Sequence, residues 1–192
     1  MPDKWVGLPV CVESMQGILA DRKTKTRRVG LPGPYPYGPP GQGVYFREPV
    51  VVHTGRKLRY AADAEWQCIP KECQEWYGRM VVKGLRTTPG RSVPRRLARA
   101  CATISEVRFE KLVDISEADA IAEGCQHCCN GENCNCHGEA AICEYIAWWN
   151  RLNEKKGFGW GAALDGKWHG WVSVTSWTDV VIGWEEVQEM LG

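Results

Sequence analysis

No run of eighteen or more apolar residues occurs anywhere in the chain, which excludes an apolar helix long enough to cross a bilayer. The opening Met1-Pro2-Asp3-Lys4-Trp5 also lacks the basic-then-apolar pattern of an export signal, so a cytosolic protein without a membrane partner is expected. There is no internal repeat, and almost no net charge, +1 over 192 residues. Disorder needs low hydrophobicity together with large uncompensated charge. With 44% hydrophobic residues and ten Trp, this chain has neither and should fold. Its length suits one domain with elaborations.

The small net charge hides an asymmetry. Residues 1–101 carry 18 Lys/Arg against 8 Asp/Glu, whereas residues 102–192 carry 6 against 15. Two acid-free stretches concentrate the positive charge, Arg22, Lys23, Lys25, Arg27 and Arg28 in one, and Arg79, Lys83, Arg86, Arg91, Arg95, Arg96 and Arg99 in the other. On one common face they would make the electropositive footprint of a protein that meets phosphates. The alternative is that the acidic half neutralises them across the fold.

Local patterns give the elements. Val12, Met15, Ile18 and Leu19 recur at helical spacing and predict a helix over about residues 12–21. The Pro- and Gly-rich run from Leu31 to Gly41 forbids a helix and reads as a surface loop. Val44–Glu48 reads as a strand that Val50–Val52 extends beyond Pro49, and Ala102–Phe109 as another strand. Ser116 is placed to cap a helix that Gly124 stops. A helix from Glu139 ends before Gly157, strand character returns over Trp171–Ile182, and Trp184–Leu191 reads as a short terminal helix. Residues 53–93 show little pattern and read as an irregular insertion. Short mixed strands with helices at their edges indicate an α+β class.

Three blocks, taken together, resemble the ASCH domain family, in particular its versions in phage and prophage genomes. They are Ile18-Leu19-Ala20-Asp21-Arg22-Lys23-Thr24-Lys25-Thr26-Arg27-Arg28, then Gly43-Val44-Tyr45-Phe46-Arg47-Glu48, and then Pro94-Arg95-Arg96 running through Ile104–Arg108 to Leu112–Gly124. The ending Trp148–Asn153, followed by the aromatic strand at Trp171, is similar to the family's last helix and strand. Departures are Asp21 where the family has glycine, Gln42 where it has aspartate, and Cys125–Gly138, which looks like an insertion. The resemblance implies a single PUA-like mixed β-barrel over residues 1–192 with flanking helices, and a cleft for RNA or a modified nucleoside, with DNA as a further partner. It also implies a setting in a phage-infected or prophage-carrying bacterial cell. Some bacterial members remove the acetyl group from N4-acetylcytidine with a Lys, a Thr three places later and a Glu on the following helix. Here those positions are Lys23, Thr26 and Glu123.

The chemistry is intelligible from the residue types. A Thr hydroxyl is a weak nucleophile until a base takes its proton, and a lysine in a buried, cation-rich setting can be that base. Arg28 can hold a carbonyl oxygen or a phosphate, with Lys25, Arg27 and Arg47 as further substrate contacts, and Glu123 can position water or accept from a cytosine amino group. The same residues also suit a non-catalytic reader of modified bases, or a ribonuclease whose cations stabilise a pentavalent phosphate.

Ten cysteines without an export signal suggest reduced thiols or a metal site rather than a disulfide scaffold. Cys125, Cys128, Cys134 and Cys136 can offer four thiolates to a structural zinc, with His127, Cys129, His137 and Cys143 as substitutes. Their spacing is irregular, and a thiol-rich loop is the alternative. Cys11, Cys68, Cys73 and Cys101 read as small buried residues.

Overall fold

The computed structural model describes residues 4–53, 55–63, 66–82, 87–125 and 140–192. Within them the chain is α+β. One five-stranded sheet has the order β1 (Trp5–Pro9), β3 (Gly43–Arg47), β8 (Ala100–Lys111), β9 (Trp171–Ile182) and β2 (Lys25–Val29). Only β1 and β3 run parallel, and the other neighbours are antiparallel. The spine is β8 with β9, where alternating apolar residues face the core and two irregularities in register, near Cys101 and Ile104, bend the ladder. Leu8, Val44, Phe46, Ile104 and Trp177 pack beneath Met15 and Ile18 of α1 (Val12–Leu19). Thus α1 covers one part of the sheet and delivers the chain into β2.

The described residues between 53 and 93 hold more regular structure than their sequence suggests. They complete a second sheet, in the order β6 (Gln67–Cys68), β5 (Lys57–Tyr60), β4 (Val50–His53) and β7 (Thr87–Thr88), with α2 (Gln74–Val82) beside it. Val50, Leu58, Tyr60, Ile69, Trp76 and Leu97 form its core. The strands are two to four residues long, too short for alternation to show in sequence. Arg99 ties this sheet to the first, donating to Glu48 at 2.6 Å and to Asp63, with its guanidinium 4.3 Å from the Tyr60 ring centroid. Among the described residues the strands form two open sheets rather than one closed barrel.

On the far side, α3 (Glu117–Ala122) and α4 (Ala140–Asn153) pack with α5 (Trp160–Leu164) over β9, burying Tyr145, Trp149, Trp168, Val172 and Val174. Ser116 caps α3 by accepting from the Asp119 amide at 3.1 Å, as its sequence predicts. The first amides of α4 have a partner that sequence does not reveal, since Ala141 and Ile142 donate to the Glu117 carboxylate at 2.8 and 3.2 Å. This bond sets α4 against α3. The chain closes with α6 (Trp184–Leu191). No helix among the described residues is long and apolar enough to cross a membrane.

The turn from α1 into β2 depends on Asp21, which has φ of 51°, the left-handed region that favours glycine. Aspartate tolerates this region better than most residues. We expect Asp21→Val to be less stable than Asp21→Gly by about 1–2 kcal/mol in urea unfolding, because a β-branched side chain resists positive φ. Equal midpoints would show that the turn carries no strain.

Candidate functional site

Lys23 lies between two glycines. A Cβ added to Gly17 would sit 3.0 Å from the Lys23 Cβ, and one added to Gly124 would sit 3.3 Å from it, so a side chain at either position would press on the lysine stem. Gly124 also has φ of +93°, which ends α3 and turns its last residue toward β2. Main-chain bonds hold the turn, with Lys23 N donating to Gly17 O at 3.1 Å and Thr24 N to Ala122 O at 2.8 Å.

Lys23 and Glu123, 100 residues apart, meet in this slot. The Lys23 Nζ donates to the Glu123 carbonyl at 2.8 Å and to its Oε2 at 2.5 Å. Arg27 donates to Glu123 Oε1 at 3.2 Å, to Glu110 at 2.6 and 2.8 Å, and to Asp119 at 2.8 Å. Lys25 reaches Asp119 at 2.5 Å, and Arg108 joins Asp119 and Glu110 from the other side. Burial works against the charge of Arg27, yet Glu123, Tyr145 and Glu110 together hold its pKa above the ordinary value. Burial likewise opposes ionisation of Asp119, but Lys25, Arg27 and Arg108 outweigh it and hold that carboxyl below its usual range. The acids of the second half therefore neutralise much of the first basic stretch, inside the fold rather than on a solvated face.

Two neighbouring cavities flank this cluster. The first, about 460 Å³, lies between the start of α1, the end of α3 and α4. The second, about 360 Å³, lies between the start of α1, β2 and the end of α4. Ser14 and Trp148 line both, so the half-buried Trp148 indole stands where the two lobes meet. Its ring centroid is 5.4 Å from Lys23 Nζ.

The expected site residues divide accordingly. Lys23 and Glu123 are brought together as one bonded unit rather than as facing walls. The side chains are 1% and 0% exposed, so Glu123 reaches the first lobe through its backbone, and Lys23 lines neither lobe. The Lys23 ammonium donates to Glu123 and makes no hydrogen bond to Thr26. Thr26 lines the second lobe, and its hydroxyl has no hydrogen-bond partner among the described residues although the residue is only 3% exposed. Arg28, two residues on and on the same strand face, lines it as well. One Arg28 Nη donates to the Pro9 carbonyl, and its Nε has no partner. The charges of Lys25 and Arg27 are taken up by the carboxylates described above. Arg47 is spent elsewhere, donating to the carbonyls of Val93 at 3.0 Å and of Arg91.

In the second basic stretch, Arg79 pairs with Glu75 and Arg99 is the inter-sheet tie, while Lys83 and Arg86 fall outside the described residues. Of the zinc set, Cys128, Cys134 and Cys136 lie outside them too, with His127, Cys129 and His137. Cys125 is half-buried, and burial, reinforced by the carboxylates of Glu144 and Glu123, pushes its thiol up to about 12. Cys73 and Cys101 are buried as expected, but Cys11 is only half-buried and Cys68 is exposed because it sits on the edge strand β6.

Sequence reasoning missed Trp148, Gly17 and Asp119 as parts of the site. Gly17 inside an otherwise apolar helical pattern is the one signal that could have been used, since a helix interior tolerates glycine at a cost unless something must approach it closely. Comparison with models of known protein families, with curated proteins and with solved structures returns no match.

Truncating Glu123 leaves two buried cations short of their carboxylate. We expect Glu123→Ala to cost about 3–5 kcal/mol in denaturant unfolding, and Lys23→Met combined with Glu123→Gln to cost less than the sum of the single changes. Additive losses would mean that the pair is not coupled.

Proposed function

We propose that this chain is an ASCH-like protein that holds a nucleobase against Trp148, in the composite cavity between α1, α3, α4 and β2. The observation that carries the reading is the indole at the junction of two lobes, backed by a buried ion cluster that keeps the surrounding elements in place. Stacking on an aromatic ring is sequence-tolerant and contributes about 1–3 kcal/mol per base. The first lobe is lined by Glu13 and Glu144, acceptors suited to an exocyclic amino group, with Arg151 bonded to Glu13 at its rim. The PUA-like barrel belongs to the same proposal. What supports it is the Arg28 guanidinium, which bonds to Pro9 and so links β2 to β1, the two edges of the five-stranded sheet.

Hydrolysis of an N4-acyl group is the second reading, and the unpartnered Thr26 hydroxyl favours it. In that reaction Thr26 Oγ1 attacks the acetyl carbon and its proton passes to Lys23, whose own ion-pair proton has moved to Glu123. The cytosine amine leaves with a proton, and water then cleaves the threonyl ester to release acetate. The base-binding reading is preferred because Lys23 is bonded to Glu123 and sealed behind the wall.

Calorimetric titration with cytidine, N4-acetylcytidine and a short single-stranded RNA, with chromatography of the mixtures, separates these readings. We expect binding without turnover, weakened about ten-fold or more by Trp148→Ala. Release of acetate would establish the hydrolase, cut RNA would establish a nuclease, and absence of any binding would sink the nucleobase reading.

A structural zinc on Cys125, Cys128, Cys134 and Cys136 is proposed as well, since it would hold together a sequence of almost no apolar content that follows Cys125, itself part of the cavity wall. Elemental analysis of natively purified protein should then find about one zinc per chain. A value well below that would leave the thiol-rich loop.

A further inference from the structure

The two lobes differ in charge. Among the described residues, the first is lined by the acids Glu13 and Glu144, with Glu123 present only through its backbone and Arg151 as the one cation, whereas no Asp or Glu lines the second. There the cations are Arg27, Arg28 and Lys156. Arg27 is already neutralised and its side chain is 0% exposed. Arg28 and Lys156 have no carboxylate partner among the described residues, and of the Arg28 fork only one Nη has an acceptor. Thr26 adds a hydroxyl that is unpartnered and not sealed from the cavity, although the residue is 3% exposed. The start of α1 faces the same space, since its N-cap Cys11 and Ser14 of its first turn both line the lobe. The unbonded Nη of the Arg28 guanidinium, a lysine at the rim, a hydroxyl donor and the positive end of a helix together form a receptor for a tetrahedral oxyanion.

We propose that the second lobe binds the phosphate of the nucleotide whose base stacks on Trp148, so that the ligand is a phosphorylated nucleotide rather than a free nucleoside. This rests on the base-binding reading, and it gives the Thr26 hydroxyl to a phosphate oxygen rather than to an acyl carbon. The phosphate is a monoester in a free nucleotide and a diester in an RNA or DNA chain, and both present the same oxygens to Arg28.

Calorimetry at low salt with cytidine, cytidine 5′-monophosphate, the dinucleotide CpC and inorganic phosphate tests it. The monophosphate should bind about ten-fold to a hundred-fold tighter than cytidine, the range expected for charge-assisted bonds to one phosphate. Arg28→Ala should remove most of that advantage. Lys156→Ala, at an exposed position where folding is not at risk, should remove part of it, and Trp148→Ala should weaken nucleoside and nucleotide alike. If CpC binds as tightly as the monophosphate, the ligand is a nucleic-acid chain; if it binds far more weakly, the ligand is a free nucleotide. Cytidine and the monophosphate binding equally, with Trp148→Ala weakening both, overturns the phosphate lobe alone and leaves the base-binding reading intact. Inorganic phosphate bound through Arg28, with no affinity gained from a base, overturns the nucleotide proposal together with the reading beneath it.

Discussion

Two cations share one carboxylate at the centre of this protein, and the elements around the cavity are arranged to make that possible. Removing Lys23, Arg27 and Glu123 from water is costly, and the cost is offset only where each charge has a partner with good geometry. Here Glu123 bonds Lys23 through one oxygen and Arg27 through the other, and Arg27 reaches Glu110 and Asp119 with its remaining donors. Those residues come from β2, β8 and the α3 region, so the network fixes three elements relative to one another. Its consequence is a rigid floor behind the cavity, with the chemistry-bearing side chains left to the next layer out.

That layer is short of partners in a specific way. Thr26 and Arg28 alternate with the fully paired Lys25 and Arg27 along β2, because successive side chains of a strand point to opposite faces. One face of β2 is thus consumed by the ion network, while the other presents a hydroxyl and an incompletely bonded guanidinium to the second lobe. A single strand serves stability with its odd-numbered residues and recognition with its even-numbered ones. The Trp148 indole completes the arrangement because Glu117 holds the start of α4 against α3.

Much of the secondary structure was legible in the sequence. The helix after Cys11, the capped helix at Ser116, the long strand near Ile104, the helix carrying Trp148 and the final strand all follow from local periodicity and end signals. The second sheet was not legible, since strands of two to four residues show no alternation and depend on tertiary pairing. Nor was the partner of the first α4 amides, whose acceptor lies on a residue more than twenty positions earlier. For the site, the resemblance selected Lys23, Thr26 and Glu123 and residue chemistry added Arg28, all of which the fold gathers into one region, but the chemical reading also suggested Arg47, which instead pins a loop.

By itself the sequence determined which residue types were available in this region: a run of cations in one half, the acids to neutralise them in the other, and a helix stop at Gly124. Periodicity and capping are properties of neighbours along the chain, so they can be read without coordinates. Which cation is neutralised is a property of neighbours in space. Only the tertiary structure decided that Lys23 and Arg27 pair with Glu123 while Arg28 does not, because that outcome depends on how β2 passes the end of α3 and on two glycines bare enough to let the lysine through.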